Sequence, residues 1–355
     1  MSRWRHLDGP HVRPFAVLAA CIILLAVVDG GHGRFFSAAT AYSTLQIFAT
    51  ISLVTLGLGL TMMIREFDLS VVGMYGMAGC IAVLTGTHHP WLGLGLALAI
   101  GLIAGIVQGV IIVRLHLSSV GVTLGGLLVF VGIAFVLTES RSLPYDNLEV
   151  ALVLNERIAG VFSIRSVVPL AFFAGAAAIF AWTRLGRDII AIGSDRRAAM
   201  TAGVKVETLM IGVFAFSGLC AALSGALLSY SLASASPAGL SDVIAPAAAG
   251  AILGGVSLGG GSGRPLGIAA GALTLAVLRS GLNAVGAPPF VNDITMGAVL
   301  LTVAILDGPY LARRLIVARR LVRPRALVSR FRSSHDLAAP SLRTSESKDT
   351  SNLLI

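Results

Sequence analysis

"YSTLQIFATISLVTLGLGLTMMI", residues 42–64, holds no charged side chain. Crossing a hydrocarbon core takes about 20 mostly apolar residues in a helix, and this stretch is long enough. It is a continuous apolar run without period-two alternation, which selects a helix over a barrel strand. Backbone polar groups in lipid must be satisfied within the segment, and a helix does that. The rest of the chain repeats the pattern. Of its 355 residues, 56% are hydrophobic and 12% are charged, against about 25% charged in a soluble domain. The sequence predicts an all-α integral membrane protein.

Ten apolar segments are expected, at 15–29, 42–64, 71–87, 91–113, 120–138, 166–182, 208–231, 244–257, 265–285 and 291–307. The third and eighth are short and glycine-rich, as broken or re-entrant helices are. The 41 glycines suit a bundle in which small residues let helices approach closely. Cys21, Cys80 and Cys220 lie inside apolar segments, without ligand-like spacing, and read as packing residues. Arg3 and Arg5 before the run from Phe15 look like the start of a signal peptide. No small-x-small site follows cleanly before Asp29, so the first segment is expected to stay as an anchor.

Positive residues set orientation. With the N-terminus in the cytoplasm and segments alternating, 21 of the 26 Lys and Arg fall on the cytoplasmic side. Both ends are then inside (N-in/C-in), and so is the loop 183–207. Three parts follow: a cytoplasmic tail over 1–14, a transmembrane domain over 15–309 and a basic, disordered cytoplasmic tail over 310–355. Segments 2–5 and 7–10 start in opposite directions and make an inverted repeat, a plan used by transporters.

Few motifs carry chemistry. "GGVSLGGGSGRPLG" (254–267) lacks the lysine of a phosphate loop and joins two spans, so it reads as a flexible turn. His88 and His89 are adjacent, with no carboxylate or cysteine nearby, and read as a solvated turn. In "REFDLS" (65–70), Asp68 either caps the following helix or is buried and lines a pathway. Arg279 lies inside the ninth segment and raises the same question. No Asp or Glu sits at the centre of a span, which argues against proton coupling. No catalytic constellation appears, so an enzyme is not expected. The loop "GRDIIAIGSDRRAAMTAGVKVE" (186–207) differs from a bare topogenic loop. Ser194 or Asp195 is placed to cap a short Ala-rich helix carrying Arg196 and Arg197, and Gly203 fits its end.

That loop resembles a stretch found in permease subunits of ribose/xylose/galactoside-type ABC importers. Gly186, Arg187, Ala191, Gly193, Ala198, Ala199, Gly203 and Val204 match, and Asp195 stands where the family usually has Asn. "FDLSVVG" (67–73), "VTLGGLLVFVGIA" (122–134) and the run from Ala251 through "SGLNAVG" (280–286) resemble three further family stretches, in the same order. The chain departs from the family at Arg65-Glu66, where two glycines are usual, at Val72 in place of a glycine, and at "SSVG" (118–121) in place of a Pro-Pro-Phe-type pair.

The resemblance implies a permease that dimerises with an identical or related permease. It also implies two ATP-binding cassette subunits on the cytoplasmic face and an extracytoplasmic solute-binding protein, in a bacterial inner membrane. The chain itself would bind no cofactor, since ATP is hydrolysed by the partner subunits. The coupling loop would be formed by Gly186, Arg187, Gly193, Asp195, Arg196, Arg197, Ala198, Ala199 and Gly203. Pathway candidates are Asp68, Ser70, Thr123, Ser257, Arg279 and Asn283. The implied cargo is a monosaccharide or similar small polyol. The alternatives are a self-contained carrier or channel for a small polar solute and, less well supported by the residues, a membrane-embedded enzyme or scaffold.

Overall fold

A computed structural model describes residues 12–30, 33–239, 243–288, 290–299 and 301–302. The described residues up to 299 belong to one compact unit. The expected tail over 310–355 and most of the N-terminal tail lie outside the described residues.

The helices are α1 (Arg13–Val28), α2 (Ala38–Met63), α3 (Val71–Gly86), α4 (Pro90–Arg114), α5 (Ser119–Leu137), α6 (Leu148–Asn155), α7 (Ile164–Trp182), α8 (Leu185–Ser194), α9 (Arg196–Thr201), α10 (Val206–Ser231), α11 (Ile244–Leu253) and α12 (Pro265–Val285). Residues 290–299 are also helical. Local chemistry sets several boundaries. Ser37 caps α2 by accepting from the Thr40 amide. Ser163 and Ser166 form a reciprocal capping box on α7. α12 opens on Pro265, which needs no amide partner there, and stops at Gly286 with φ +82°.

Among the described residues, α2, α4, α5, α7, α10 and α12 are long and apolar enough to cross a membrane. At 16 and 10 residues and 1.5 Å per residue, α3 and α11 fall short of the roughly 30 Å core. They are short continuous helices, each following a 26-residue helix, α2 or α10. Three details were not expected. The loop 139–165 contains α6. Leu143–Pro144 (β1) pairs antiparallel with Ser234–Ala235 (β2) in an otherwise helical chain. The loop 183–207 holds two helices, α8 and α9, where one was expected, because Asp195 is extended (φ −157°) and breaks the run.

Helices α2 and α10 are central. The most apolar 18-residue window of α2 is 78% buried and that of α10 72%, against 11% for α5. The large hydrophobics that α4, α5 and α7 leave exposed, such as Ile103, Leu128 and Ile179, suit a hydrocarbon solvent. The most extensive packing joins α4 to α10. Gly93, Ala97, Gly101, Gly105 and Gly109 recur every four residues and form one buried stripe on α4. A Cβ at Gly105 would lie 2.3 Å from the Phe214 carbonyl oxygen, and one at Gly218 would lie 2.3 Å from that of Gly101. Only small residues permit this approach.

Candidate functional site

The linker 64–70 between α2 and α3 holds a buried carboxyl with three hydrogen bonds. Asp68 is 2% exposed. Its Oδ1 accepts from the Ser70 amide at 3.0 Å and the Ser70 hydroxyl at 2.6 Å. Its Oδ2 accepts from the Ser217 hydroxyl of α10 at 2.7 Å. The Ser70 Oγ also lies 2.8 Å from Gln108 Oε1 on α4. One hydroxyl proton cannot serve both Asp68 Oδ1 and Gln108 Oε1, so a proton on Asp68 or a reversed Gln108 amide supplies the missing donor. Burial pushes the Asp68 carboxyl upward, and the hydrogen bonds from Ser70 and Ser217 pull it back. The cap expectation is corrected. Ser70, not Asp68, is the N-cap of α3, because Asp68 is drawn inward by Ser217.

Thr123 of α5 closes the other side of the linker. Its Oγ1 accepts from the Leu69 amide at 3.1 Å and lies 3.2 Å from the Phe67 carbonyl. Asp68, Ser70 and Thr123 therefore converge on one linker. The other three pathway candidates lie elsewhere. Ser257 accepts from the Gly259 amide within the glycine-rich turn. Arg279 is exposed on α12. Asn283, near the end of α12, accepts from Asn292 Nδ2 at 3.1 Å.

The start of the same linker meets the loop containing α8 and α9. Arg65 donates from Nε to the Gly259 carbonyl at 2.6 Å and from Nη2 to the Ser194 carbonyl at 2.8 Å. Arg196 donates to the Ile64 carbonyl at 3.2 Å and pairs with Glu66. Arg65 holds φ +64°, a left-handed conformation that favours glycine. Gly193 lies against the end of α2, where a Cβ would come within 1.8 Å of the Met63 carbonyl oxygen. The Met63 carbonyl itself accepts from the Gly261 amide at 2.9 Å. Asp195 caps α9 through the amides of Arg197 and Ala198. Gly203 has φ +84°. Ala199 is buried, while Ala198 and Arg197 are exposed on the surface of α9. Gly186 is buried and Arg187 exposed on α8. The loop therefore shows one face to the bundle and another, with Arg187 and Arg197, to solvent.

The family described as "branched-chain amino acid transport system / permease component" matches residues 40–304. The chain belongs to that family. This permease is 30% identical over 301 residues to the ribose import permease RbsC of Escherichia coli, covering 82% of this chain and 92% of that one. It is 31% identical to the ribose import permease RbsC of Haemophilus influenzae, covering 83% and 93%. It is 30% identical to the autoinducer 2 import system permease LsrC of Photorhabdus luminescens, covering 80% and 86%. No solved structure gives a significant match.

Reading the sequence alone missed three polar residues of the permease. Gln108 and Ser217 complete the Asp68 cluster, and their signal was a polar side chain inside an apolar segment. Arg165 was assigned to the outer loop. It is instead 6% exposed, at the first turn of α7, and donates to Gln46 and Thr50 of α2 and Ser231 of α10. Gln46 and Thr50, four residues apart on α2, were the available signal.

Proposed function

We propose that this permease is the membrane-spanning subunit of an ATP-driven importer that translocates a monosaccharide or similar small polyol. The names of the relatives, ribose and autoinducer 2 import permeases, support that substrate class. Two copies, or one copy and a related permease, would assemble with two ATP-binding cassette subunits and an extracytoplasmic binding protein in a bacterial inner membrane. ATP would be hydrolysed by the cassette subunits, and this chain would bind no cofactor and catalyse no reaction. An N-in/C-in arrangement of the ten apolar segments, with α3 and α11 too short to cross as straight helices, would place 21 of 26 Lys and Arg inside. The paired order of a 26-residue helix followed by a short one, in α2–α3 and again in α10–α11, supports an inverted repeat.

The observation that carries the reading is the architecture of residues 185–203. The capped helix α9 bears Arg197 on its exposed side and directly follows α8, which is seated through Gly193 on the end of α2. A loop needed only for orientation requires positive charge and nothing more. The test is a cysteine crosslink from position 197 to a co-expressed cassette subunit, with and without ATP. A nucleotide-sensitive crosslink is expected. No crosslink between two folded partners would favour the self-contained carrier.

A further inference from the structure

We infer that the α2–α3 linker transmits movement of the docking loop to Asp68, and that Arg65, Glu66 and Arg196 are the positioning residues that latch it to the loop. This rests on the importer reading above and adds a route through the permease itself.

The latch is reciprocal. Arg196, which begins α9, donates to the carbonyl of Ile64, the C-cap of α2. Arg65, just past α2, donates to the carbonyl of Ser194, the last residue of α8. Each guanidinium thus sits at the negative C-terminal end of the other's neighbouring helix, where unsatisfied carbonyls favour a cation. Glu66 ties the two together by pairing with Arg196, and its side chain is only 11% exposed. A partly buried pair is screened less by solvent and salt than a surface pair. The glycine-rich turn is the third member, since the Gly259 carbonyl receives Arg65 and the Gly261 amide reaches Met63.

The far end of the linker is held by the same stretch of chain. Arg196 grips residue 66, and Ser217, 21 residues further along on α10, grips Asp68. If α8, α9 and α10 move as one body, the linker must follow. If the docking loop moves relative to α10, one of the two grips must release. In both cases the hydrogen bonds around Asp68, Ser70 and Gln108 report the position of the loop. The chain carries Arg65 in a left-handed conformation that costs a non-glycine residue energy, and the two bonds from its guanidinium offset that cost.

The experiment uses a Phe67→Cys reporter in a Cys21→Ser background, co-expressed with a cassette subunit in membranes. N-ethylmaleimide labelling is timed without nucleotide and with ATP plus vanadate. With the latch intact, the two rates are expected to differ about fivefold or more, the lower range of coupling between linked sites. Glu66→Arg and Arg196→Glu should each collapse the difference below about twofold. The double swap, and Arg196→Lys alone, should restore it. Glu66→Gln substitutes should Glu66→Arg fail to insert. A difference that persists in the single variants overturns the inference. So does no difference in the parent while the crosslink from position 197 still responds to ATP. Loss of both responses in the parent would instead sink the importer reading.

Discussion

The Ser217 hydroxyl on α10 reaches Asp68 Oδ2 at 2.7 Å across 149 residues of sequence. That bond joins one central helix to the linker that follows the other. Removing the carboxyl strands the Ser70 amide and the Ser217 hydroxyl in a buried site, while the Ser70 hydroxyl keeps Gln108, and an unmade buried hydrogen bond costs about 1–3 kcal/mol. Asp68→Ala is therefore expected to lower uptake about tenfold or more while the protein still inserts. Asp68→Asn keeps the shape, with Oδ1 still accepting from the Ser70 amide and Nδ2 able to donate to the Ser217 hydroxyl, so it should retain more uptake than Ala. Equal loss in both variants, measured as initial uptake of the labelled monosaccharide cargo in vesicles containing the permease with its partner subunits, would show that the negative charge itself is required.

Gly193 provides a sharper test of how α8 is seated on the end of α2. Even a methyl group there would press within 1.8 Å of the Met63 carbonyl and 2.5 Å of the Gly261 amide. Both neighbours are backbone and cannot rotate away. Gly193→Ala should displace α8 from the end of α2 and cut transport several-fold, and Gly193→Trp should abolish it, with membrane insertion retained for Ala. Protease cleavage at Arg187 or Arg197, faster in the variant than in the parent, would report the displaced loop. Unchanged cleavage and full uptake would count against close seating as the reason for glycine.

The α4 stripe predicts a loss of stability and not only of function. At Gly105 a Cβ would meet the Phe214 carbonyl at 2.3 Å and the Ala215 Cα at 2.8 Å. Overpacking of this kind costs about 1–3 kcal/mol. Gly105→Val should lower the melting temperature in detergent by several degrees, whereas Gly95→Val, where a Cβ would meet nothing within 4 Å, should leave it within about one degree. A fluorescence melting curve of the two variants separates them.

Much of this architecture was legible because lipid imposes a simple rule. A run such as Tyr42–Ile64 has to be helical. The helix α9 was legible from local capping chemistry, since Asp195 and Gly203 bracket it. What could not be read were contacts between distant segments. Nothing in "REFDLS" shows that Ser217 turns Asp68 inward, or that Arg65 and Glu66 face Ser194 and Arg196. Ser257, Asn283 and Arg279 were drawn from motif position and from a charge inside a segment. The fold sends them to a turn, the end of α12 and an exposed helix face. Sequence spacing reports which side of one helix a residue occupies, and not which helix lies opposite.

Arg165 gives the last prediction. Its guanidinium bridges α7 to Gln46 and Thr50 of α2 and to Ser231 of α10, and it forms no ion pair among the described residues. It also stands in the first turn of its helix, the end where the macrodipole disfavours a cation. A planar, forked donor can satisfy three acceptors on two helices, which a lysine ammonium cannot match in reach or geometry. Arg165→Lys should therefore weaken the bridge even though charge is conserved, lowering the detergent melting temperature by about 2–4 °C for each kcal/mol lost. Arg165→Leu removes the desolvated charge along with the bonds. It leaves Gln46 Oε1 without its donor, but it also ends the cost of burying an ion without a counter-ion. If the bridge is what matters, both variants melt below the parent. If the unpaired charge dominates, Leu melts above Lys, and the charge is kept for the transport cycle and not for the fold. Melting both variants beside an uptake assay decides between these, because a charge kept for transport would leave Arg165→Leu stable and inactive.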